Sequence, residues 1–254
     1  MERLDGRIAV VTGAASGIGL AIVEAFVAAD MRVVMADVDE AGVRSHAARL
    51  AELGADVHPV AADVSDPDSV DRLGRAVVER YGTLHVAVNN AGIVNGGRAW
   101  ELSLDEWHRV IDVNLWGVIH GVHTFVPLIL GSGEEGHVVN TASMASVLAI
   151  GGLGPYTVAK HGVLGLSDVL RKDLSAAGTP IGVSVVMPGM IRTGLNPIGT
   201  VEASVVADRV VDAIRTGRDY VFTDDHDARG VASRLGAILA AKAELTDRPT
   251  TTDD

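Results

Sequence analysis

Arg7-Ile8-Ala9-Val10-Val11-Thr12-Gly13-Ala14-Ala15-Ser16-Gly17-Ile18-Gly19 opens the chain with a β-branched apolar run, a glycine turn and the start of an amphipathic stretch that continues over 20–29. That order predicts strand, turn, helix. Glycines let a backbone approach a pyrophosphate with no Cβ in the way, and the helix behind them offers unpaired N–H groups and a partial positive charge. The next apolar run, Arg32-Val33-Val34-Met35-Ala36, ends at Asp37, eighteen positions after Gly19. A carboxylate there can accept hydrogen bonds from both hydroxyls of an adenosine ribose, and it would repel a 2′-phosphate. Neither Ser16 nor Val38 supplies a cation to receive one, so the pattern predicts NAD rather than NADP.

Outward from this unit, short apolar runs alternate with helical stretches. Further strands are expected at 56–61, 84–88, 137–141, 182–187 and 219–223, and helices at 67–81, 105–130, 155–177 and 202–216. Strands spaced by helices call for a parallel sheet with ligands at its carboxyl ends. The fold class expected is α/β: a doubly wound, Rossmann-type domain with a seven-stranded parallel sheet and helices on both faces. No linker, charge block or repeat interrupts residues 1–245, which are read as one domain. The Thr- and Asp-rich tail, 246–254, is expected to be flexible.

Tyr156-Thr157-Val158-Ala159-Lys160 places a phenol and an ammonium on one helix face, with the Ser143 hydroxyl thirteen positions upstream. Alone, the pair is also what an ordinary helix surface carries. A phenol with a pKa near ~10 is a poor base at neutral pH, and lowering it by ~3 units takes about 4 kcal/mol of preferential interaction with the phenolate. One lysine falls short of that; a second positive charge, such as an oxidised nicotinamide ring, would help.

Together these residues resemble the short-chain dehydrogenase/reductase family, and the resemblance runs from about Arg7 to Thr193. Thr12-Gly13-x-x-x-Gly17-Ile18-Gly19, with Ser16 inside it, is similar to the family's cofactor turn, and Asp63-Val64 to the pair that contacts the adenine. Asn89-Asn90-Ala91-Gly92 resembles the motif that ends the fourth strand, where Asn90, Ala91 and Gly92 line the cofactor cleft. Pro188-Gly189, with Ile191 and Thr193, resembles the segment around the nicotinamide. Asn114, Ser143, Tyr156 and Lys160 match the four catalytic positions. The resemblance implies that Tyr156 exchanges a proton with an alcohol or ketone while a hydride moves to or from the nicotinamide. It further implies that Ser143 holds the substrate oxygen and that Lys160 favours the phenolate and bonds the nicotinamide ribose. Asn114 would fix a water linking Lys160 to solvent.

Composition excludes several classes. The formal charge of −12, from 21 Lys plus Arg against 33 Asp plus Glu, opposes a general nucleic-acid or anionic-membrane surface. No apolar run approaching ~18 residues is read from the sequence, and Met1-Glu2-Arg3-Leu4-Asp5 is no secretory start, so a cytoplasmic protein is expected. The absence of cysteine rules out disulfides and thiolate metal sites. His120 and His123 share a helix face three apart without an acidic partner nearby in sequence, and no metal site is expected.

Candidates to face the substrate are Val94, Ala145, Val147, Leu148, Ile150, Leu153, Met190 and Leu195. Their apolar character points to a hydrophobic or alicyclic secondary alcohol or its ketone, with core packing the other way to read several of them. The segment after Thr193 reads as a short lid, which would leave the pocket open or leave its closure to another segment, 226–242 or a neighbouring subunit. The family resemblance and the apolar faces of the long helices imply a homodimer or homotetramer. Two other functions share the pattern: an NADPH-dependent 3-oxoacyl thioester reductase, which Asp37 opposes, and a non-catalytic dinucleotide sensor, which would not need all four catalytic side chains.

Overall fold

The structure, a computed structural model, describes residues 1–225 and 227–246. Contacts divide the chain into a unit from Met1 to Asp224 and a second from Asp225 onward. In the first, strands β1 (Ile8–Thr12), β2 (Arg32–Asp37), β3 (Val57–Ala61), β4 (Val86–Asn89), β5 (Gly136–Thr141), β6 (Ile181–Met187) and β9 (Tyr220–Phe222) form one sheet in the order β3-β2-β1-β4-β5-β6-β9. Every pairing in it is parallel, as the alternation of strands and helices requires. The order reverses beside β1, so the carboxyl ends of β1 and β4 flank a crevice where a ligand can sit.

Helices α1 (Gly17–Ala28), α2 (Glu40–Glu52), α3 (Pro67–Tyr81), α4 (Leu104–Ile111), α5 (Gly117–Gly131), α6 (Gly154–Ala176) and α7 (Ala203–Thr216) cover the sheet. Two cores result. Val11, Val33, Val86 and Val186 pack with Phe26 of α1 and Ile214 of α7 on one face, while Val10, Val34 and Val138 pack with Leu73 of α3 and Phe125 of α5 on the other. Consecutive strand residues thus point to opposite layers, both buried, which is why the strands read as unbroken apolar runs.

Three elements depart from the sequence reading. Helix α2 was not foreseen, although Asp39 caps it by accepting from the Gly42 N–H at 3.0 Å and Val43, Ala47 and Leu50 form its buried stripe. Strands β7 (Ile191–Arg192) and β8 (Val201–Glu202) pair in parallel and pinch off the short lid as a closed loop. The helix expected at 105–130 is continuous over Leu104–Gly131 but holds a π-turn, Asp112–Trp116, between α4 and α5.

That continuous helix is also more apolar than expected. An 18-residue window reaches a mean hydropathy of 1.4, so length and composition alone would let it cross a bilayer. Its Val118, Phe125 and Ile129 are instead buried in the protein's own cores, the packing of a core helix. In the second unit, α8 (Ala228–Thr246) occupies most of the stretch named as a closing segment. His226 and the tail after Thr246 lie outside the described residues.

Candidate active site

The crevice is a cleft of about 330 Å³, within the ~300–1,000 Å³ of small-molecule sites. One end is built by strand ends and helix starts. Gly13, at φ +68°, and Gly17, at φ +54°, turn the chain in the left-handed region that favours glycine. A Cβ on Gly13 would stand 2.8 Å from the Ala91 Cα, and one on Gly17 would stand 3.2 Å from Thr193 Cγ2. Ser16 is the N-cap of α1 but makes no side-chain cap, so the first N–H groups of the helix face the cleft with Ser16, Gly17 and Ile18 on its wall. A Cβ on Gly19 would run into the Gly13 carbonyl oxygen; this glycine lets helix and strand close up behind the wall.

Asp37 is fixed by backbone. Its Oδ2 accepts from the Ala15 N–H at 2.9 Å and its Oδ1 from the Asp39 N–H at 3.0 Å. Both oxygens keep acceptor capacity, and Asp37 lines the cleft beside Val38, Asp63 and Val64 with no Lys or Arg among the described lining residues at that end.

The floor is clasped by Thr12, which the sequence reading quoted but gave no role. Its hydroxyl accepts from the Asn90 and Ala91 N–H groups at 2.9 and 3.2 Å, and donates to the Val88 carbonyl at 3.3 Å. Asn90 returns a hydrogen bond from Nδ2 to the Thr12 carbonyl at 3.0 Å, tying the end of β1 to the end of β4. Behind it, Asn89 Nδ2 donates to Asn140 Oδ1 at 2.9 Å, and Asn140 Nδ2 to Ser167 Oγ at 3.0 Å. This buried chain joins β4, β5 and α6.

The other end carries the titratable groups. Tyr156 and Lys160, one turn apart on α6, both line the cleft. Burial pushes the Tyr156 phenol above its usual pKa, and its polar interaction with Ser143 opposes that rise. Ser143 also caps the 3₁₀ turn Met144–Ser146, accepting from the Ala145 N–H at 3.1 Å, which fixes its hydroxyl. Lys160 is 3% exposed, and burial lowers its pKa to about 8.

Lys160 has a backbone partner that the sequence does not name. Its Nζ donates to the Thr141 carbonyl at 2.8 Å and lies over the Tyr156 ring, 5.6 Å from its centroid. Thr141 was missed because a carbonyl acceptor carries no residue identity to read. The chain's own groups therefore leave Tyr156 a weak acid, in line with the shortfall expected of one lysine.

Asn114 sits on the π-turn, fully buried, and both ends of its amide engage Ile93. Its Oδ1 accepts from the Ile93 N–H at 2.8 Å, and its Nδ2 donates to the Ile93 carbonyl at 2.7 Å. A Cβ on Gly92 would stand 3.1 Å from Asn114 Oδ1 and 3.7 Å from Lys160 Nζ, so the bare face of Gly92 lies between the two side chains.

Around the substrate end, Pro188 and Thr193 line the cleft, whereas Gly189 packs against the Asp224 carboxylate and Ile191 is buried in the core. Among the residues expected to face the substrate, Leu195 lines the cleft, and Val94 and Ile150 are exposed. Leu148, Leu153 and Met190 are half-buried. Ala145 is fully buried and Val147 packs against Val118, Val163 and Met187; for these two the core reading holds.

A glycine turn with no room for a Cβ, a carboxylate at the end of β2 and a phenol and an ammonium in the same cleft point to a class. The chain belongs to the short chain dehydrogenase family, which matches residues 7–199, and by family it is an oxidoreductase. Among curated relatives, the 1-deoxy-11-beta-hydroxypentalenate dehydrogenase of Streptomyces avermitilis is 41% identical over 233 residues, spanning 87% of this chain and 86% of the relative. The protein of the same name from Streptomyces exfoliatus is 40% identical over 238 residues, 89% of this chain and 86% of the relative. Among solved structures, a short chain dehydrogenase/reductase from Burkholderia phymatum in complex with NAD is 34% identical, with a TM-score of 0.92 over 100% of both chains.

Proposed function

We propose that this oxidoreductase is NAD-dependent and interconverts an apolar or alicyclic secondary alcohol with its ketone. The observation that carries the proposal is the pair Tyr156 and Lys160, one turn apart on α6 and lining one cleft with Asp37, with Ser143 close enough to the phenol to act on its titration. The cleft suits a dinucleotide: Gly13, Ser16, Gly17 and Ile18 line it at the start of α1, where unpaired helix N–H groups can receive a pyrophosphate, and Asp37 can accept from ribose hydroxyls. The dinucleotide, when bound, supplies or takes the hydride.

The chain's residues do the rest. Ser143, fixed by its own turn, donates to the substrate oxygen and steadies the charge developing there. Tyr156 takes the hydroxyl proton during oxidation and returns it during reduction. Lys160 adds positive charge near the phenol and, once drawn from Thr141, can reach a ribose hydroxyl. Asn114 holds Ile93 and keeps one lone pair and one N–H for a water toward Lys160. Val94, Ile150 and Leu195 offer the substrate apolar surface. The hydroxy compound in the Streptomyces relatives' name supports an alcohol substrate. Exposed Trp116, Val158 and Val169 support assembly into a homodimer or homotetramer.

The test follows the absorbance of reduced nicotinamide while the protein is offered NAD or NADP with aliphatic, alicyclic, aromatic, steroid and sugar alcohols. Reduction of NAD with an apolar alcohol is expected. Turnover confined to sugar alcohols would remove the substrate reading, and silence across the panel despite NAD binding would point to a sensor.

A further inference from the structure

His120 stands on α5, outside the catalytic group, yet it holds one wall of the cleft. Its Nδ1 lies 2.9 Å from the Val64 carbonyl oxygen, and because a carbonyl only accepts, the proton of this bond sits on Nδ1. Val64 lines the cleft next to Asp63. One turn earlier on the same helix, Gly117 brings backbone directly against Val64: a Cβ there would stand 2.7 Å from Val64 Cγ2. Trp116 stacks on the His120 ring, with 5.8 Å between centroids and 30° between planes, and so limits its rotation.

The neighbouring residues of this loop are tied from the other side. The Asp63 N–H donates to Ser69 Oγ of α3 at 3.1 Å, and Asp63 Oδ1 accepts from the Ser65 N–H and hydroxyl at 2.9 and 2.7 Å. The segment 63–65 is thus held between α3, through Ser69, and α5, through His120.

We propose that His120 is a positioning residue for the adenosine end of the dinucleotide, acting through the Val64 carbonyl to fix the wall formed by Asp63 and Val64. This rests on the dinucleotide reading of the cleft given above. It gives a use to a histidine that is neither part of the catalytic group nor of a metal cluster among the described residues. The demand is for a donor at one atomic position. An asparagine amide nitrogen can occupy the place of Nδ1, whereas a glutamine amide reaches further, toward the place of Nε2.

The experiment measures dissociation constants of ADP-ribose and NAD by calorimetry on the full chain carrying H120N, H120Q or H120A, with the thermal midpoint of each variant alongside. H120Q and H120A are expected to weaken both ligands by about five- to tenfold, the loss of one net hydrogen bond, and H120N to stay within about twofold of wild type. Affinity equal to wild type in H120Q, or H120N weakened as much as H120Q, would overturn the proposal. If H120Q does not fold, H120A against H120N carries the same comparison. A wild-type chain that binds neither ligand would overturn the dinucleotide reading and this proposal with it, whereas wild-type binding unchanged in H120Q overturns this proposal alone.

Discussion

The Asp37 end of the cleft is assembled from strand ends and helix starts, whereas the Tyr156 end is bordered by three loops, residues 90–103, 143–153 and 193–200. At the first, the Asp37 carboxylate is fixed by two backbone N–H groups and Gly13 is pressed against Ala91, so each group is placed by regular structure on either side of it. At the second, Gly97 pairs with Leu153 and its N–H donates to the Gly152 carbonyl at 2.8 Å, a link between two loops more than fifty residues apart. Leu195 and Ile198 on the third loop are 57% and 80% exposed. The difference teaches that the Asp37 end is positioned by backbone hydrogen bonds and regular elements, while the Tyr156 end is shaped by loop-to-loop contacts and borders exposed apolar side chains.

Substitutions at the two ends should therefore fail in different ways. The largest effect is expected from Tyr156→Phe, which removes the proton carrier and should cut turnover by roughly 10³-fold while dinucleotide affinity, measured by calorimetry, changes little. Loss of both together would mean that Tyr156 is structural and that the two ends are not separable.

Lys160→Met should also abolish turnover, yet raise stability. With its pKa lowered by burial to about 8 from 10.5, Lys160 makes the folded state bind fewer protons than the unfolded one between those values. Stability of the wild type should therefore rise with pH across that window, and below it the buried charge costs about 3 kcal/mol. Losing the bond to Thr141 offsets part of this, so chemical denaturation at pH 7 should show the variant more stable by on the order of 2 kcal/mol. A less stable variant, or a flat pH dependence, would break this account of the catalytic lysine.

A smaller change is expected from Asp37→Ala. The preference in kcat/KM for NAD over NADP should fall by about tenfold, the worth of one to two hydrogen bonds and a relieved repulsion. Smallest is Leu195→Ser, which should raise KM for an apolar alcohol by roughly threefold with kcat little changed, as apolar surface is lost from an open site. If Leu195→Ser altered NAD affinity instead, the lid would belong to the cofactor end.

These contrasts also explain what could be read from the sequence. The inner strands β1, β2, β4, β5 and β6 were legible because they are buried on both faces and so read as largely apolar runs, the partly exposed edges β3 and β9 by their place in the alternation, and the turn after β1 because Gly13, Gly17 and Asp37 meet local demands. Helix α2 escaped because its stripe of Val43, Ala47 and Leu50 is thin among polar residues, and because Gly42 sits in its first turn. The π-turn around Asn114 left no signal, since its cause is the clasp on the Ile93 backbone, twenty-one residues away. Thr141 acts through a carbonyl, and its role depends only on where the chain runs. Ala145 and Val147 were assigned to the pocket by proximity to Ser143, but the 3₁₀ turn after that serine buries Ala145, and Val147 packs against the cluster beneath it.

The measurement that tests the central claim most directly is a parallel determination of kcat/KM for NAD and for NADP, at fixed concentration of one alicyclic secondary alcohol that the wild-type protein oxidises. The account predicts at least about a tenfold preference for NAD, set by the Asp37 carboxylate that the backbone of Ala15 and Asp39 holds in place. Equal use of the two dinucleotides, or a preference for NADP, would contradict it.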